Sequence, residues 1–213
     1  MQRSSRSCES LPLNRGRACI CGVARTFHWR TERSIHILPA LRENPSLATS
    51  FVVQDCHHAS LQCAVVSGVV VIRDCSYVTL SVCCSHLVVM CVSSALLTPS
   101  NSHHIGLFVY ATTNPLFVNT PPNTVVVAPY NTPRAGLLRQ LKDARLSGRN
   151  CWDFGIDLKG FRFPCAELPP REFSPFITRE EMTEEEVEKL ELPLLPKRYE
   201  DVFRRVLDVL KTE

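Results

Sequence analysis

Thiols and imidazoles are the side chains of this chain best suited to chemistry, and Cys56-His57-His58 and Cys83-Cys84 concentrate five of them in one apolar region. Such groups hold structural zinc when they come in pairs about two to four residues apart and the pair recurs later in the chain. Neither cluster has that form. Neighbouring residues of a strand point to opposite faces, so Cys83 and Cys84 cannot easily share one ion. His57 and His58 read as part of a polar turn, and Cys19-Ile20-Cys21 is too tight for the usual spacing. Acid–base chemistry is no better supplied, since Asp55 and Asp74 are the only carboxylates from Asp55 to Thr132. No phosphate loop or Gly-flanked nucleophile occurs, and no motif singles out a Cys–His pair. The expectation is a non-enzymatic chain without metal or cofactor.

The elements that carry these residues show themselves by repetition. Asp55-Cys56 returns as Asp74-Cys75, and superimposing residues 52–70 on 71–89 also aligns Gln54 with Arg73, Ser60 with Thr79, Leu61 with Leu80 and Val69-Val70 with Val88-Val89. Short β-branched runs such as "GVVVI", "SYVTLSV" and "HLVVM" lie between the landmarks. Strands recurring at about 20 residues imply stacked coils, as in a solenoid or β-helix, because one coil cannot bury its apolar face alone. In that arrangement the Cys faces inward and the Asp satisfies turn backbone. "IGLFVYA", "PLFV" and "TVVVAPY", separated by Asn, Pro and Thr, continue the strand pattern.

Charge divides the chain into three. Residues 1–50 carry eight Arg against three Glu, residues 51–133 hold only Asp55, Arg73 and Asp74, and residues 134–213 balance 15 basic with 16 acidic groups. The expected organisation is a basic, flexible N-terminal segment at 1–50, a β-domain at 51–133 and a C-terminal extension at 134–213. The Arg- and Ser-rich start shares its composition with mitochondrial presequences, but Pro12 and Gly16 interrupt any amphipathic stripe. A non-native start is the other alternative to a basic tail. A net charge of +3 makes no case for nucleic acid. Eleven Cys, an odd number without a preceding secretory signal, read as reduced core thiols of a cytoplasmic protein. Tyr77–Leu97 is 21 residues free of Asp, Glu, Lys and Arg, long enough for a membrane span. Its His86, its five Ser or Thr residues and the lack of a basic C-terminal flank favour strands instead.

Repeated Asp-Cys coils, then "TTNPLFV" and a closing "NTVVVAPYNT", resemble the C-CAP/cofactor C-like (TBCC) domain family, a group that includes tubulin-folding cofactor C. Thr112, Thr113, Pro115, Ala128, Pro129 and Tyr130 match the family's closing strands, while Asn114 replaces an Arg. The resemblance covers about residues 51–210. It implies a mainly β fold, a right-handed parallel β-helix with a C-terminal α-helical extension. Family members that stimulate GTP hydrolysis use an arginine that stabilises charge on the transferred phosphoryl group. Its position falls near Thr98, and no Lys or Arg lies between Arg73 and Arg134. The resemblance therefore implies a cytoskeletal binding protein, with the GTPase activator for tubulin or an Arf-like GTPase as the alternative.

In the C-terminal part, Trp152-Asp153, then Leu168-Pro169-Pro170 with Phe173 and Phe176, then a Leu-Pro entry into a terminal helix, are similar in order to TBCC domain-containing members of the family. That likeness implies residence at centrosomes, spindle poles or basal bodies, a part in Golgi positioning and cell shape, and cytoskeletal or centrosomal partners. Tubulin and a small GTPase are among those partners. Thr183 to Glu186 has the capping-box form ahead of Val187 and Leu190. Tyr199, Val202, Phe203, Val206, Leu207 and Leu210 make an amphipathic stripe, either a cap on the open end of the coils or a partner-binding helix. Trp152, Phe173, Tyr199 and Phe203 are the candidate protein contacts, with core packing as the competing role for the first two.

Overall fold

Long stretches of Val, Leu, Ile and Cys, broken only by single polar residues, give strands that can be buried on both faces. The structure, a computed structural model, describes residues 25–28, 48–54, 56–90, 105–122, 124–146, 148–175, 189–193 and 195–212. The strands are β1 (Arg25–His28), β2 (Ala48–Gln54), β3 (His57–Arg73), β4 (Ser76–Met90), β5 (Ile105–Ala111), β6 (Leu116–Val118), β7 (Val125–Pro129), β8 (Ile156–Asp157) and β9 (Ala166–Glu167). Among the described residues, the helices α1 (Leu137–Asp143) and α2 (Lys197–Thr212) and a 3-10 turn at Pro170–Glu172 accompany the strands. The chain is thus mostly β, as expected.

Among the described residues the named strands pair in parallel, in the order β1-β2-β3-β4-β5-β7-β9, with β6 bridging β4 to β8. β4 serves two ladders. Its first part lies beside β5, with Val78 opposite Ile105, and its end lies beside β6, with Val88 opposite Leu116. The 19-residue repeat holds from His57 opposite Ser76 to Gln62 opposite Ser81. It then slips. Irregularities after Gln62 and after Val66 each remove a residue from the offset, so Val70 pairs with Leu87 rather than with Val89. Bulges of this kind bend a strand, which carries β3 and β4 from one ladder to the next.

The stack is not confined to residues 51–133. β1 lies beside β2 with Thr26 opposite Val52, inside the segment expected to be a flexible tail, and β8 and β9 extend the two ladders. Residues 77–90 of the postulated membrane span belong to strand β4, and 91–97 lie outside the described residues. Among the described residues no helix is long and apolar enough to cross a membrane.

Alternation along the strands creates two cores. Leu61, Val66, Ile72, Val78, Leu80, Leu87, Val89, Leu107 and Val125 belong to the main one. Residues of the opposite face, Val65, Cys83 and Tyr110, form a smaller one with Tyr130, Leu137, Leu141 and Leu146, beneath α1. Burying a side chain of leucine size contributes about 1.5–3 kcal/mol. Gly136 precedes α1 in the left-handed region at φ 70° and no side chain caps the helix from that position. Glu191 supplies the cap from a distance, its Oε2 accepting from the Leu138 N–H at 2.9 Å. Two backbone bonds of 3.1 Å between Arg134 and Glu191 hold the two segments together.

Candidate interaction surface

The Asp-Cys mark is a turn. Asp74 takes φ 52°, a left-handed conformation that Asp tolerates better than bulky residues, and its N–H bonds the Met90 carbonyl at 3.2 Å. Ser76 donates its N–H to the Cys56 carbonyl at 3.0 Å, so the starts of the adjacent strands β3 and β4 are joined here. Cys56 and Cys75 are buried and repeat one contact: each thiol points to the carbonyl two residues before it, Gln54 at 3.5 Å and Arg73 at 3.1 Å. Asp55 lies outside the described residues.

The cysteines are structural in their surroundings. Cys84 belongs to the main core and Cys83 to the one beneath α1, so the adjacent thiols do lie on opposite faces. Burial pushes the Cys84 thiol from its ordinary 9.0 up to about 12, and raises Cys83 and Cys63 further against the opposing Arg134 cation. The thiol contact with Cys56, followed by burial, holds Cys75 protonated. Among the described residues no group of three His, Cys, Asp or Glu could hold a metal ion.

Arg134 is the unexpected residue here. Its Nη2 donates to the Cys63 carbonyl at 3.0 Å and to the Tyr130 hydroxyl at 2.9 Å, while its buried Nε and Nη1 have no partner. Burial raises the Tyr130 hydroxyl pKa in spite of this cation. Nothing in the spacing around Arg134 distinguishes it from a surface arginine, and only the fold places it inside.

Trp152, Phe173, Tyr199 and Phe203, the candidate contact residues, are all interior, at 3%, 2%, 0% and 8% exposure. This agrees with the core packing weighed for Trp152 and Phe173, and Tyr199 and Phe203 are covered in the same way. Tyr199 stands edge-on to Trp152 and to Phe173, with centroids 5.8 and 5.0 Å away, and Phe108 approaches Phe173 at 6.2 Å. The Tyr199 hydroxyl lies 2.6 Å from the Leu168 carbonyl and 2.7 Å from Glu167 Oε1, and Arg198 pairs with the same carboxylate. Rings of this size bury their apolar body while the hydroxyl keeps a partner, which is why the start of α2 docks here. At Tyr199 the helix α2 is packed into the main core. Val209 is exposed further along. Phe176 and the Thr183–Glu186 capping box lie outside the described residues, as does Thr98.

The Thr112-Thr113 pair closes a corner: Thr113 donates its N–H and its hydroxyl to the Ser85 carbonyl at 3.2 and 2.9 Å. Next to it, Asn114 lines an open cleft of about 300 Å³ with Arg149, Cys151, Asp153 and Phe154. Asn150 holds the cleft wall to the stack, its Oδ1 accepting from the Ala111 N–H at 3.0 Å and its Nδ2 donating to the Val109 carbonyl at 3.1 Å. A side-chain amide here does the work of a strand's backbone.

These features define a parallel stacked-strand protein with a thiol-rich interior and an open cleft beside the Thr112-Thr113 pair. A family model, tubulin binding cofactor C, matches residues 45–154. The chain belongs to the tubulin binding cofactor C family. No match was found among curated proteins.

Proposed function

We propose that the protein is a non-enzymatic, tubulin-directed binding protein resembling TBCC domain-containing protein 1. Its parallel strands form a closed, right-handed β-helix that works as a rigid scaffold. It resides at the centrosome, spindle pole or basal body, where it takes part in Golgi positioning and cell shape. Family membership supports the tubulin-directed part of this reading. The observation that carries the non-enzymatic part is the absence of Lys and Arg between Arg73 and Arg134. Arginine's planar cation in a phosphoryl-transfer site has no neutral substitute. Both flanking arginines are engaged elsewhere: Arg73 donates to Gln54 Oε1 on the neighbouring strand, and the buried guanidinium of Arg134 donates to the Cys63 carbonyl and the Tyr130 hydroxyl.

The test is a single-turnover GTP hydrolysis assay with tubulin and with an Arf-like GTPase. No acceleration is expected. A tenfold or greater acceleration would overturn the non-enzymatic reading in favour of a cofactor C-like activator. Imaging of the tagged protein beside centriole and Golgi markers tests the location; a mitochondrial signal would overturn it.

A further inference from the structure

Two of the most exposed large apolar side chains among the described residues, Leu158 at 70% and Phe161 at 67%, sit on one five-residue turn. Exposed residues of this kind usually belong to flexible loops, but this turn is hydrogen-bonded at Asp157, Lys159, Gly160 and Phe161. Asp157 Oδ1 accepts from the Lys159 and Phe161 N–H groups at 2.8 and 2.9 Å. The Asp157 N–H bonds the Phe161 carbonyl at 2.8 Å, and the Gly160 N–H bonds the Asp157 carbonyl at 2.9 Å. Gly160 adopts φ 81°, which closes the turn without the steric cost other residues would meet.

The base of the turn is equally fixed. Ile156 and Asp157 form β8 beside β6, and Phe163 stacks on Phe117 in the core with centroids 4.3 Å apart. Leu158 and Phe161 are therefore held out in solvent by a framework that is already ordered. An apolar group displayed on a preordered support loses little conformational entropy on binding, which favours its use as an anchor. The surroundings are basic. Lys159 lies between the two apolar residues, Arg162 covers the Phe154 ring at 5.5 Å, and Phe154 lines the cleft together with Arg149. Asp153 and Asp157 oppose these three cations, and Asp157 already accepts two N–H bonds.

We infer that the Asp157–Phe161 turn and the neighbouring cleft form a docking surface for a protein partner that offers an apolar recess bordered by carboxylates. This rests on the tubulin-directed reading, which makes purified tubulin the probe. Apolar anchors with a basic rim require affinity that falls as salt rises.

The experiment measures tubulin binding by the full chain and by two variants, the double substitution Leu158→Ser/Phe161→Ser and the control Val209→Ser, which changes an exposed apolar residue on α2. The turn variant should bind at least tenfold more weakly with an unchanged melting temperature, the control should bind as the wild type does, and raising salt should weaken the wild type. Equal affinity of the turn variant and the wild type would overturn the inference and leave the proposed function standing. A wild type that does not bind tubulin would overturn both. Phosphatidylserine vesicles provide the last comparison: loss of vesicle binding in the turn variant with tubulin binding intact would make this a lipid-facing turn and overturn a protein occupant.

Discussion

Tyr199, near the start of α2, stands at 88° to the indole of Trp152, and its hydroxyl reaches the Leu168 carbonyl at 2.6 Å. One residue thereby joins the terminal helix, the segment after β9 and the segment just before β8. Tyr199→Phe should keep the ring contacts and leave the carbonyl without its donor, at a cost of about 1–2 kcal/mol. Tyr199→Ala should cost about 3–5 kcal/mol and release α2. Urea unfolding measures the first, and protease cleavage within residues 197–212 detects the second. A Phe variant as labile as the Ala variant would show that the hydroxyl, not the ring, anchors the helix.

Gly155 lies against the stacked pair Phe117 and Phe163. A Cβ added there would approach Phe117 Cε2 to 2.4 Å, and the ring cannot withdraw because Phe163 covers it at 4.3 Å. Gly155→Ala should therefore destabilise by about 1–3 kcal/mol through overpacking. Gly106→Ala is the control, since its nearest contact is the Thr79 hydroxyl at an ordinary 3.4 Å. Thermal melts of the two variants should separate clearly.

Alkaline pH should unfold the protein. Cys84 is raised from 9.0 to about 12, with Cys63 and Cys83 shifted in the same direction, so folding favours the protonated thiols. Their contribution is complete below the unfolded value of 9.0 and is lost as pH climbs through the folded value. The melting temperature should hold between pH 7 and 8.5 and fall above about pH 9. Cys84→Val should make that fall shallower.

Arg134 should be replaceable by a residue of similar shape without charge. Two of its buried nitrogens have no partner, and its acceptors are a carbonyl and a hydroxyl rather than a carboxylate. Arg134→Met is expected to leave stability unchanged or raise it by about 1–2 kcal/mol in denaturant unfolding. A loss above about 2 kcal/mol would mean that the bonds to Cys63 and Tyr130 outweigh the cost of desolvating the cation.

The local pattern of residues determined the parts of this protein that depend on near neighbours. Asp-Cys at a 19-residue spacing was sufficient to foresee the turn at Asp74 ahead of strand β4, because turn conformation and the alternation of faces are set within a few residues. Alternation also foretold that Cys83 and Cys84 would part. The Asp157–Gly160 turn was not foreseen, although its chemistry is just as local: the Asp157 side chain accepts from the turn's own N–H groups and Gly160 takes a positive φ. Its exposed Leu158 and Phe161 could not be foreseen, since nothing local says which apolar side chains remain uncovered.

Tertiary structure decided the rest. The slip that pairs Val70 with Leu87 depends on where β3 bends against its neighbour, and parallel pairing itself sets no register across such a bend. Trp152, Phe173 and Tyr199 became interior because α2 returns to the segments after β7, contacts separated by as many as 47 residues in the chain from Trp152 to Tyr199. Arg134 and Glu191 have ordinary surroundings in the sequence, yet the fold encloses one and uses the other to cap α1. Burial is a property of what covers a residue, and in a stacked fold the covering chain comes from elsewhere in the sequence.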